Sequence, residues 1–188
     1  MVWLILGVLM WSAVHSLPSA GRSLRGELLE RLGEGPYKGL FALAIVLSIV
    51  LMTVGWRSTE PAYLYAPPSW SRWAANGLMV VALVLFVASG VPTNLKRVLR
   101  HPQLAGVATW AGAHLLANGD GRSLVLFGGI GLWALASMWL INRRDGAWQK
   151  PQALPLTADL KPLIAGIVAF ALVYLAHPWI AGVSPAPG

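Results

Sequence analysis

A chain of 188 residues that is 56% hydrophobic and only 11% charged falls far below the roughly 25% charge of soluble domains. It holds no cysteine, which excludes disulfides, thiolate metal centres, cysteine nucleophiles and covalently attached c-type haem. The net charge of +7 is carried by basic residues between apolar runs, so membrane topology explains it better than nucleic acid does. Repeated runs long enough to cross about 30 Å of hydrocarbon predict an all-α polytopic bundle of about six transmembrane helices. A single domain is expected over residues 1–180, followed by a Gly/Pro-rich tail, 181–188, expected to be disordered.

The first helix is expected over Met1 to Leu17, with Pro18 disfavouring helix at the residue before it. No Lys or Arg precedes this run, which argues against a cleaved signal peptide. In GRSLRGELLERL, Leu24, Leu28 and Leu32 form an i, i+4 row and Glu27 can pair with Arg31, a pattern for an amphipathic interfacial helix or a plain connector. The GEGP run is expected to break it. A second span is predicted from Tyr37 to Trp56, then a proline- and aromatic-rich loop, then a third from Arg72 to Val91. After the basic connection TNLKRVLR comes a fourth span, closed by NGDG at Asn118 to Gly121, so Asp120 reads as turn chemistry rather than a catalytic acid. The fifth runs from Ser123 to Ile141, with Gly128, Gly129 and Gly131 permitting close helix approach. A twenty-residue loop leads to the sixth, Leu163 to Ala176, with His177-Pro178-Trp179 at its end.

Loops on one side hold Arg22, Arg25, Arg31, Lys38, Lys96, Arg97, Arg100, Arg143, Arg144, Lys150 and Lys161, eleven of the 14 basic residues. The positive-inside rule then places both termini outside the cytoplasm. Trp3, Trp56, Trp70, Trp73, Trp148 and Trp179 fall near span ends, as an aromatic belt requires, whereas Trp11, Trp110 and Trp133 lie within spans.

The fourth span carries the unusual polar groups. Arg100, Gln103, Val107, Trp110, His114 and Asn118 follow one another at steps of three and four, which is one helical face. A polar group at membrane depth is costly unless it meets protein or ligand, so this face is expected to point into the bundle. No carboxylate lies within a span, and neither a Walker loop nor GxGxxG occurs, so cofactor ligation by histidine is the chemistry left. Two imidazoles from different helices can hold a b-type haem if they sit at similar depth. The competing structural reading is histidines that bridge helices by hydrogen bonds.

The run HSLPS, then RHPQLAG, then W-x-x-x-H-L-L-x-N-G-D followed by SLVLFGGIGLWAL resembles the NnrU family over roughly Trp3 to Trp148. The resemblance implies a multi-pass protein of the bacterial cytoplasmic (inner) membrane, associated with nitrite and nitric oxide reduction. It also implies kinship with the cis-zeta-carotene isomerase, a haem b enzyme whose haem histidines would fall on His15 and His114. That enzyme's alternative cysteine ligand would fall on Ala111, so a ligand switch there cannot operate in this chain. R-H-P-x-x-x-G is similar to the cofactor motif of isoprenylcysteine methyltransferases and membrane sterol reductases, which implies S-adenosylmethionine or NADPH at Arg100 and His101. The structural alternative is that Pro102 is a first-turn residue and Arg100 an inside-positive anchor.

At 1.5 Å per residue, His15 lies about 21 Å below the outer surface and His114 only about 6–9 Å. By depth, His15 pairs with His101 and His114 with His177; by the resemblance, His15 pairs with His114. The expected role is to hold haem b or another flat apolar ligand, with Arg100, His101, Trp110 and Gln103 as further cofactor-binding candidates. The alternatives are a haem-dependent carotenoid isomerase-like enzyme acting on an apolar substrate, and a non-enzymatic component of a membrane reductase. Besides these, the expected partner is the lipid bilayer, with no nucleic acid.

Overall fold

The computed structural model describes residues 1–186; residues 187 and 188 of the expected tail lie outside the described residues. Among the described residues eight α-helices follow in order: α1 Val2–Ala20, α2 Arg22–Leu32, α3 Glu34–Arg57, α4 Ser71–Gly90, α5 Pro102–Ala117, α6 Gly121–Ser123, α7 Gly129–Asp145 and α8 Leu160–Ala181. A π-helical turn, Leu124–Gly128, joins α6 to α7, so that Gly121–Asp145 forms one 25-residue rod. Among the described residues the only extended pairing is an isolated antiparallel bridge between Tyr63 and Asp120.

Hydrogen bonds between connections define two faces of the bundle. On one, the Met1 amino group reaches Thr59 Oγ1, Arg122 donates to the Thr59 carbonyl, Gly121 N–H to Ala62, and Asn76 Nδ2 to Pro185 in the tail. On the other, Arg144 reaches the Pro18 carbonyl, Arg100 donates to Gly146, and Asn94 Nδ2 to both Leu154 and Asp159. The chain therefore passes between the faces six times, and both ends of the described chain lie on the same face. Five passes are made by helices long and apolar enough to cross a membrane. The sixth, α5, has 16 residues and spans about 24 Å, packed between α4 and α7. All eleven basic residues of the first, third and fifth connections belong to the face opposite the N-terminus.

Packing follows a row in space: α3, α1, α7, α5, α4, α8. Small residues set the approach distances. A Cβ added to Gly7 would stand 2.7 Å from the Met52 backbone, one on Gly129 2.5 Å from Val8 Cγ1, and one on Gly166 2.6 Å from the Val84 backbone. Without a hydrophobic drive between helices in lipid, such close backbone contact is what holds them together. At the ends of the row, α3 and α8 expose Leu43, Val46, Leu172, Leu175 and other apolar side chains, as lipid-facing helices do.

Helix ends differ from the sequence expectation where proline was read as a boundary. Helix α1 continues through Pro18 to Ala20, and α8 through Pro178 to Ala181. Each proline stands within the last turn, where it removes one backbone donor rather than a whole ladder. The break in GEGP falls at Gly33, whose φ of 78° suits glycine, and Pro36 belongs to the first turn of α3. Helix α2 forms as expected, but among the described residues Glu27 and Arg31 make no ion pair; the i, i+4 pair is Glu34–Lys38 at 2.6 Å.

Candidate functional site

The Trp-x-x-x-His spacing occurs twice, as Trp11–His15 on α1 and Trp110–His114 on α5. These two helices lie on either side of α7. In each unit the imidazole Nδ1 meets the carbonyl of its own tryptophan four residues back, at 3.0 Å for His15 and 2.9 Å for His114. A neutral ring so placed donates from Nδ1 and turns its Nε2 lone pair outward; this is how ligating histidines are commonly oriented. Neither Nε2 has a partner among the described residues.

Both rings rest on aromatic neighbours supplied by the central rod. His114 stacks on Phe127 at 4.4 Å and 24°, with Trp110 at 4.9 Å; Trp56 adds its edge to Phe127 at 6.1 Å. Phe127 belongs to the π-helical turn, a local widening that recurs at functional sites. Asp120 stands beside this cluster as an N-cap: its carboxylate accepts from Ser123 N at 3.1 Å and Ser123 Oγ at 2.6 Å, and meets Arg122 Nε at 3.4 Å. The Arg122 guanidinium also lies 4.5 Å above Trp56 and donates to the Trp56 carbonyl. Thus Asp120 is turn chemistry, as its surroundings in sequence imply.

The His15 ring is 4.0 Å from Trp11, 5.3 Å from Trp133 and 6.0 Å from Phe41. The Nε1–H groups of Trp11 and Trp133 and the hydroxyl of Tyr37 are buried without a hydrogen-bond partner among the described residues. Each such donor costs free energy in a medium with no water to satisfy it.

The two units are not brought together. Phe127 and Trp133, their respective partners on the central rod, are six residues apart, about 9 Å along its axis. No ring contact joins the clusters among the described residues. His177 lies towards the same face of the bundle as His114; its Nδ1 faces the Val183 carbonyl at 2.8 Å, again leaving Nε2 outward. His101 is on the opposite face, where Nε2 meets Asn142 Oδ1 at 2.9 Å. Arg100 and exposed Gln103 are there too, so the polar stripe of α5 serves two separate places. No group of three or more His, Asp or Glu side chains able to hold a metal occurs among the described residues.

Phe127, Phe41 and Arg122 escaped the sequence reading. The repeated Trp-x-x-x-His spacing was the available signal for the paired units, but nothing in it shows which ring of α7 meets which histidine. A family model described as NnrU protein matches residues 3–185. No curated protein and no solved structure matches the chain.

Proposed function

Since the chain belongs to the NnrU family, we propose that it is a multi-pass membrane protein holding a flat apolar ligand, haem b, against His114, in support of nitrite and nitric oxide reduction in the bacterial inner membrane. The observation that carries this reading is the His114 ring itself. Its Nδ1 is committed to Trp110, its Nε2 is uncommitted, and its face is fixed by a phenyl ring on a π-helical turn. The second imidazole proposed is His177, on a helix that ends at the same face of the bundle, with its Nδ1 equally committed. When bound, the haem would supply redox or ligand-exchange chemistry at its iron. The protein's part is to orient the donors and exclude water, and Trp110, Trp56 and Phe127 offer the apolar surfaces for that.

The unit around His15 supports ligand binding in another way. An acceptor carried by a bound molecule would satisfy the stranded N–H groups of Trp11 and Trp133. Basic connections on the face opposite the termini favour a cytoplasmic position for that face.

Purification in mild detergent followed by a pyridine haemochrome assay and iron analysis tests the reading. The expected result is haem b in near-stoichiometric amount. A colourless, iron-free protein that co-purifies with a reductase would replace it with the reading of a non-enzymatic component.

A further inference from the structure

On the basic face, away from both histidine units, a pocket of about 400 Å³ opens between the start of α5, the end of α7 and the loop that follows. Lys96 and Arg100 line it together with His101 and Gln103, and Trp148, Leu104 and Ile141 supply apolar wall. No carboxylate is among its lining residues. The Lys96 ammonium has no hydrogen-bond or ion-pair partner among the described residues, whereas Arg100 donates from one nitrogen to the Gly146 carbonyl at 2.7 Å and keeps its others. Two uncompensated cations beside an apolar wall at a helix end select for a ligand with an anionic head and an apolar body. The start of α5 adds to this, because the N–H groups of Gln103 and Leu104 precede the first intrahelical bond, made by Ala105 to His101.

We propose that this pocket binds a phosphate-bearing anion through Lys96, Arg100 and the first turn of α5. Two sources share that chemistry: the headgroup of an anionic phospholipid, whose chains would follow Leu104 and Ile141 into the bilayer, and a soluble phosphate. A guanidinium and an ammonium divide the work. Arg100 can present a fork to two phosphate oxygens while Lys96 acts as a point charge.

Native mass spectrometry of the detergent-purified protein, titrated with short-chain phosphatidylglycerol, phosphatidylcholine or inorganic phosphate, tests the site. Phosphatidylglycerol is expected to bind one per chain and more tightly than phosphatidylcholine. Lys96→Gln is expected to weaken it about fivefold, the loss of one cation near an anionic headgroup. The additional change Arg100→Gln should weaken it further, and Arg57→Gln on the opposite face should leave it unchanged. Competition by equal concentrations of inorganic phosphate assigns the soluble source, and its absence assigns the lipid. Lys96 holds nothing in the fold, so Lys96→Gln remains informative even if Arg100→Gln fails to fold. Binding of both phosphatidylglycerol and inorganic phosphate that is indifferent to Lys96→Gln, or equal binding of the two lipids without any phosphate binding, overturns the proposal.

Discussion

At the scale of single residues, one hydrogen-bonding habit recurs at three of the four histidines. His15, His114 and His177 each commit Nδ1 to a backbone carbonyl and leave Nε2 uncommitted, whereas His101 uses Nε2 on Asn142. That separates three rings whose Nε2 is left open from one occupied in tying α5 to α7. Asp120 does a different task, closing the NGDG turn onto the rod that carries Phe127. Replacing Asp120 with Ala removes an N-cap and strands Ser123 Oγ; unfolding of the detergent-solubilised protein should show a loss of about 1–2 kcal/mol. No change in stability would mean the turn is held by its backbone bonds to Ala62, Leu64 and Tyr65 without the cap. The turn itself was legible from Asn-Gly-Asp-Gly, because short polar side chains and glycines have few other uses there. Which ring would face His114 was not legible, because it depends on the rotation of α7 and on a π-helical turn with no local signature.

Among the helices, glycine decides who touches whom. At Gly55 an added Cβ would overlap the Leu4 backbone, while Gly112 on α5 has nothing within 4 Å. Gly55→Ala should therefore cost about 1–3 kcal/mol as α1 and α3 are forced apart. Gly112→Ala should be neutral or slightly stabilising through helix propensity. Equal effects in a reversible unfolding assay would show that the α1–α3 approach is looser than described. Spans two to five were legible to within a few residues from their apolar length. The ends at Pro18 and Pro178 were not, because where water is scarce a helix retains its remaining backbone bonds beyond a last-turn proline rather than fraying. Only at Pro102, the first residue of α5, did proline mark a boundary as read.

Over the whole molecule, the six passes place the two histidine units on either flank of α7 and the basic pocket at one end of the bundle. The absence of cysteine makes this arrangement directly testable. Tyr63→Cys and Ser184→Cys should react with a membrane-impermeant maleimide from one side, and Val98→Cys and Leu156→Cys only from the other. Labelling of Tyr63→Cys and Ser184→Cys from different sides would contradict six passes. The alternation of faces was legible in the distribution of Lys and Arg, but the order of the row was not. Sequence neighbours α3 and α4 are separated in it by α1, α7 and α5.

The most direct measurement is the visible spectrum of three purified variants, His114→Ala, His177→Ala and His15→Ala, against the parent protein. A Soret band lost in the first two and retained in the third is the predicted result. Retention in His114→Ala, or loss in His15→Ala with retention in His177→Ala, would contradict the placement of the ligand beside Phe127.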